Sequence, residues 1–289
     1  MTITAFCVLA EPDKLMYPYI ESLRSISRFA DKIVINYAAS EDIQFRQFES
    51  NSYERIISLK DEVKDRCKIE IILDKHWKLQ KNQSYDEIRN IVQRALDDCK
   101  EGWFMKFDAD NVFYSHSAEK IKSLFNDETD YLVFGRINMI DRHTFIANNN
   151  SNDIYAVNVS SLKKKNIDFE VGDITQWCVV NVKQRHNRQS ISDPELVSIN
   201  YDATFFTKER VVDFWRKTED AYSTAQNRAN RLLNVSDDAV VSSFINYKKA
   251  KLGSLKKGNR PNFTHPQDIS EKIESLSEIH WGFNNFKMM

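Results

Sequence analysis

The first half of the chain alternates short apolar runs with stretches of helical spacing. Residues 3–9 (ITAFCVL), 32–37 (KIVINY) and 69–74 (IEIILD) read as buried strands, being short and apolar on both alternating faces. Residues 17–29 read as a helix, with Ile20, Leu23 and Ile26 at helical spacing, and residues 43–66 are mostly helical in pattern. Residues 84–99 give the clearest helix. Ile88, Ile91, Val92, Ala95, Leu96 and Cys99 share one face, and Ser84 with Glu87 forms an S-x-x-E capping box at its start. Residues 103–107 (WFMKF) are a fourth strand that runs into Asp108-Ala109-Asp110-Asn111. Residues 116–125 are a helix and 130–137 (DYLVFGRI) a fifth strand.

Strands that alternate with helices predict βαβ units, hence an α/β fold with a mainly parallel central sheet and helices on both faces. Ligands of such sheets bind beyond the carboxyl ends of the strands. That rule singles out Ala10 and Glu11, Asn36 and Tyr37, Asp74, and Asp108 to Asp110 as rim positions. The second half reads differently. Residues 144–207 carry short β-like runs with polar turns, which predicts an antiparallel addition. Residues 208–233 and 237–250 read as two helices, 251–264 as a basic loop, and 266–277 as a short helix with Pro266 near its start. The expected organisation is one continuous domain with halves at 1–137 and 138–289.

Composition narrows the function classes. With 289 residues the chain can bury a sizeable core without staples. Its 41 Lys and Arg against 42 Asp and Glu leave a net charge of −1, which argues against general attraction to nucleic acid or anionic lipid. Only six glycines weigh against a glycine-rich phosphate loop. Cys7, Cys67, Cys99 and Cys178 form no CxxC pair, so they read as buried thiols of a reducing compartment rather than zinc ligands. No run of about 18 apolar residues predicts a transmembrane helix. The N-terminus lacks a basic stretch and a cleavage site, and a cytoplasmic protein is expected.

Asp108 and Asp110 are the strongest chemical signal. Two carboxylates one small residue apart suit a hard divalent cation, which commonly bridges protein carboxylate to substrate phosphate. A pair of solvated loop aspartates is the bland alternative, and the position after the fourth strand favours the cation. Arg89, early in the best helix, reads either as a rim guanidinium for a pyrophosphate or as an exposed arginine paired with Asp86 or Glu87. Asp237 and Asp238 follow Ser236. They read as first-turn acids behind an N-cap, or as a general base held on a rigid element. Asp220, with Glu219, is a competing acidic pair that reads as a solvated helix face. His265 and His280 lie near the C-terminus, as a metal or phosphate ligand closing over the site or as capping and surface residues.

Taken together, these pieces resemble the family-two glycosyltransferases of the GT-A fold. The first strand followed by Glu11, KIVIN at 32–36, and SYDEIRNIVQRALDDCKEGWFMKFDADNVF at 84–113 carry the resemblance, over about residues 1–137. The resemblance implies a GT-A-like nucleotide-binding fold with a β-rich acceptor-side insert and C-terminal helices. It implies a Mn2+ or Mg2+ cofactor, a UDP-, GDP- or dTDP-sugar donor, a glycan or other hydroxyl acceptor, and hexosyltransferase-like transfer with inversion. It places Asp110 on the metal and Asp108 on the ribose or a metal-bound water. Ala10, Glu11, Asn36 and Arg89 would face the nucleotide, and His280 would join late as a metal or nucleotide contact. It favours Asp238 as the base, then Asp237, then Asp220. Asn36 stands where the family has an acidic residue. The competing expectations are a sugar-phosphate nucleotidyltransferase, which would carry a glycine-rich loop where this chain has AEPDKLMYP, and a non-catalytic sugar-binding relative.

Overall fold

The computed structural model describes residues 1–10, 17–38, 51–73, 84–139, 144–148, 154–167, 169–171, 180–182, 187–201, 212, 235–243, 257–259 and 264–275. A seven-stranded sheet forms the centre. Its strands are β1 (Ile3–Ala10), β2 (Lys32–Ala38), β3 (Lys68–Leu73), β4 (Trp103–Lys106), β6 (Tyr131–Phe134), β9 (Ile154–Asn158) and β12 (Arg188–Ile191), in the order β12-β6-β9-β4-β1-β2-β3. Every neighbouring pair is parallel except that β9 runs antiparallel to both β4 and β6. The mainly parallel α/β sheet expected from the strand–helix alternation is therefore present.

Strand alternation sends side chains to two cores. Cys7, Leu9, Ile33, Ile35, Trp103 and Met105 pack with Leu23 and Ile26 of α1 (Tyr19–Ile26), Ile56 and Leu59 of α2 (Ser52–Val63), and Ile121 of α4 (Ala118–Leu124). On the other face Phe6, Val34 and Phe104 pack with Ile91, Val92 and Leu96 of α3 (Ser84–Asp98) and with Leu162 of α5 (Val159–Lys164). Burial on both faces is why these strands read as near-continuous apolar runs. The side chains of the Ser84/Glu87 capping box lie outside the described residues.

A second sheet of five strands lies beyond the first. It takes β5 (Asn111–Val112), β7 (Arg136–Met139), β8 (Thr144–Asn148), β13 (Ser198–Asn200) and β14 (Lys257–Asn259), in the order β14-β8-β7-β13-β5. A separate hairpin pairs β10 (Phe169–Val171) with β11 (Val180–Val182). Helix α6 covers 237–243 and α7 covers Gln267–Ser275. Among the described residues no helix is long and apolar enough to cross a membrane.

Two expectations change. The single strand at 130–137 is two strands in different sheets, divided at Gly135. A Cβ there would lie 3.1 Å from Ile191 O and 3.3 Å from a Val197 methyl, so the crossing backbone leaves room for glycine alone without adjustment. The antiparallel addition expected over 144–207 is also only partly separate. β9 is buried on both faces and inserts into the middle of the central sheet, and β12 extends its edge. At the start of β4, Gly102 has φ +77° and its would-be Cβ meets Thr2 O at 2.3 Å. This position demands glycine because β1 and β4 close around it.

Candidate functional site

The end of β4 is where the chain leaves the central sheet for the second one. Phe107 and Ala109 join the core under α1, whereas the Asp108 side chain is 42% exposed and Asp110 is half-buried. β5 begins at the next residue, so the D-x-D turn is the junction between the two sheets.

Asn111 builds that junction. It is fully buried, and its Nδ2 donates to Asp110 Oδ1 at 2.8 Å and to Asp108 O at 3.2 Å. Its Oδ1 accepts from Ser198 Oγ at 3.0 Å and from Asn200 Nδ2 at 3.4 Å, both on β13. All four hydrogen-bonding positions of the amide are thereby used, which sets its orientation. The Asn111 carbonyl accepts from Ser22 Oγ of α1 at 2.6 Å, and the Tyr201 N–H donates to Asp110 O at 2.9 Å. The turn is held from three sides by groups far away in the chain.

Lys106 is the second surprise of this turn. Although it ends a fully buried strand, its Nζ lies 2.5 Å from Asp108 Oδ1. Neither Lys106 nor Asn111 was singled out from the sequence. A charge inside WFMKF, at a position that alternation buries, was the available signal for the lysine. The asparagine had only its place beside the aspartates. Below the turn, burial pushes the Cys7 thiol up, with Asp108 adding to the rise and Lys106 opposing it. Cys7, Cys67 and Cys99 are buried free thiols, and Cys178 lies outside the described residues.

Asn36 lies along the same edge. It is 4% exposed, and among the described residues its buried Oδ1 has no hydrogen-bond partner. It pairs in register with Val8 of β1. Asn36 lies near the end of β2, two strands from β4. An orphaned buried acceptor costs stability unless a donor arrives, so Asn36 is a candidate ligand contact. Helix α3 leads from the end of β3 back to the start of β4, so its first turns, with half-buried Arg89, lie toward this same edge. Ala10 ends β1 beside Ala38 at this rim.

The donor set suits a hard cation. Mg2+ and Mn2+ take carboxylate oxygens, and such an ion is commonly held by one or two carboxylates with waters and substrate phosphates. Asp108 and Asp110 supply two carboxylates, and no third His, Cys, Asp or Glu gathers with them among the described residues.

Asp237 and Asp238 are exposed in the first turn of α6, whose Val240 and Val241 are buried. The Ala239 N–H donates to Ser236 Oγ at 3.4 Å, which agrees with the N-cap reading of Ser236. His265 Nδ1 is 2.9 Å from the hydroxyl of buried Tyr201, the residue whose N–H donates to Asp110 O. Glu11, Asp74, Asp220 and His280 lie outside the described residues.

No model of a known protein family matches the chain, and no curated protein matches it by sequence. Solved structures do resemble it in backbone. S. aureus TarS superposes with a TM-score of 0.41 at 11% identity, over 86% of this chain and 44% of that one. A 4-diphosphocytidyl-2C-methyl-D-erythritol synthase from Anaerococcus prevotii gives 0.35 at 13% identity, over 68% of this chain and 90% of that one. A UDP-glucose pyrophosphorylase complexed with UDP-glucose gives 0.28 at 12% identity, over 50% and 62%. This chain spans less than half the length of TarS.

Proposed function

We propose that this protein is a glycosyltransferase that moves a sugar from a nucleotide-diphosphate donor to an acceptor hydroxyl. The observation that carries the reading is the D-x-D turn. It sits at the carboxyl end of a central strand, braced by Asn111, and near the end of β2 the buried Oδ1 of Asn36 has no hydrogen-bond partner among the described residues. Open parallel sheets bind nucleotides along this edge.

In this reading the nucleotide lies over the ends of β1, β2 and β4. Asn36 offers its orphan carbonyl to a donor group of the nucleotide, and Arg89 meets the diphosphate with a guanidinium fork. Asp110, with Asp108 beside it, holds the divalent cation; when bound, that ion offsets the negative charge of the departing diphosphate. Asp238 takes the acceptor proton, with Asp237 and then Asp220 as the next candidates for that role. A base on the face opposite the leaving group gives inversion by a single displacement. The segments after residue 137, His280 among them, form the acceptor side and a late contact to the site.

The test is product identity. Purified protein is incubated with Mn2+, a hydroxyl acceptor panel and each of UDP-, GDP- and dTDP-sugars. A glycosyltransferase releases the nucleoside diphosphate, and Asp238→Asn lowers that release at least 100-fold with donor binding retained. Formation of pyrophosphate from a sugar phosphate and a nucleoside triphosphate would instead identify a nucleotidyltransferase.

A further inference from the structure

Strand β5 starts at the residue after Asp110 and forms one edge of the second sheet, with β13 beside it. On the β13 side, Asp110 O accepts from the Tyr201 N–H. On the other side lies α1, and two of its serines stand in for a neighbouring strand. Ser22 Oγ donates to Asn111 O at 2.6 Å, and the Phe113 N–H donates to Ser25 Oγ at 3.1 Å. Asn111 and Phe113 are buried, so without these hydroxyls the two backbone groups would lack both a partner strand and water. Ser25 Oγ also donates to Ser22 O at 2.8 Å. Its hydroxyl proton is thereby engaged within the helix, and its oxygen is left to accept from β5. Ser22 and Ser25 are themselves buried, and a spacing of three places them on one side of α1. A helix laid on a sheet ordinarily fills such positions with apolar side chains.

The effect reaches the two aspartates through Asn111. Its N–H donates to Asp108 O at 3.1 Å, and its Nδ2 donates to Asp110 Oδ1 at 2.8 Å. A shift of the Asn111 backbone therefore moves the turn and the Asp110 carboxylate with it. We propose that Ser22 and Ser25 are positioning residues for the divalent cation. They fix the backbone at Asn111 and, through it, the mutual geometry of Asp108 and Asp110. Such a cation is sensitive to this, because Mg2+ demands near-ideal octahedral geometry. Groups that orient metal ligands without touching the metal typically change its affinity by roughly 10- to 100-fold. The inference rests on the reading of the site given above and deepens it.

The experiment titrates Mn2+ into the whole protein by electron paramagnetic resonance, with UDP, GDP or dTDP present, and records melting temperatures in parallel. Ser22→Ala and Ser25→Ala are each expected to lower Mn2+ affinity by about tenfold or more. Ser27, just past α1, supplies the matched control. It is equally buried, and its Oγ donates to Arg24 O at 2.7 Å and accepts from Arg66 Nε at 3.2 Å, neither of them in β5. Ser27→Ala is expected to lower the melting temperature by a few degrees, as the other two variants do, and to keep Mn2+ affinity within about twofold of the unaltered protein.

Mn2+ affinity within about twofold of the unaltered protein in folded Ser22→Ala and Ser25→Ala overturns the proposal and leaves the functional reading intact, since the serines then serve the fold alone. An equal loss of affinity in Ser27→Ala overturns it as well, because the loss then follows stability and not the contact with β5. If Ser22→Ala does not fold, Ser25→Ala decides by the same measure. Absence of Mn2+ binding to the unaltered protein with every nucleoside diphosphate overturns both the proposal and the reading of the site.

Discussion

At the scale of single residues, polar groups that break the apolar pattern mark the site. Asn36 interrupts a strand whose other inward positions are Ile33, Ile35, Tyr37 and Val34, and its Oδ1 has no partner among the described residues. A buried acceptor without a donor normally costs about 1–3 kcal/mol, so its retention points to a ligand rather than to folding. Asn36→Leu should therefore leave stability unchanged or raise it by up to about 1 kcal/mol in urea unfolding. Calorimetry on the same variant should show donor-nucleotide affinity falling at least tenfold. A destabilised variant with unaltered nucleotide affinity would make Asn36 a structural residue. Asn111 is the contrasting case. Its four hydrogen bonds are all satisfied within the protein, and it works by holding Asp110 still.

At the scale of elements, the helices that cover the sheet are fastened by charge as well as by packing. Arg24 of α1 donates two hydrogen bonds of 2.8 Å to the Glu62 carboxylate of α2. Those bonds, and then the guanidinium charge, hold the Glu62 carboxyl below its ordinary 4.5. The folded protein therefore takes up this proton less readily than the unfolded chain. The pair contributes fully above about pH 4.5 and its contribution is lost as pH falls through the lowered value. Because both side chains reach solvent, Glu62→Gln should cost less than about 1 kcal/mol at pH 7, with the difference from the unaltered protein shrinking as pH falls below 4.5 in unfolding titrations. A difference that grows in acid would contradict the assignment. Much of this element level was legible in the sequence. β1, β2, β3 and β4 announce themselves because burial on both faces leaves short apolar runs, and α3 because one face is apolar. Placement was harder. The run IYAVN reads the same in a separate sheet as between β4 and β6, and only the pairing of Phe104 with Val157 decides. β5 is two residues long and too short to carry a period. The bracing of the D-x-D turn was hidden for a similar reason, since Ser198, Asn200 and Ser22 lie almost 90 residues from Asn111.

At the scale of the whole molecule, the C-terminal segment ties the two sheets together. Arg28, just past α1, makes two hydrogen bonds to Asp268 of α7, at 3.0 and 2.7 Å, and Ile269 and Ile273 pack on Val112, Ile199 and Tyr201 of the second sheet. The D-x-D turn lies between these two bodies, so a ligand gripping it should stabilise the molecule as a unit. Thermal melting against UDP-, GDP- and dTDP-sugars, each with and without Mn2+, reads this directly. The account predicts that one nucleotide class raises the melting temperature by several degrees, more with Mn2+ than without, and that Asp110→Ala removes the Mn2+-dependent part. Equal responses in the unaltered protein and in Asp110→Ala, or no response to any nucleotide sugar, would contradict it.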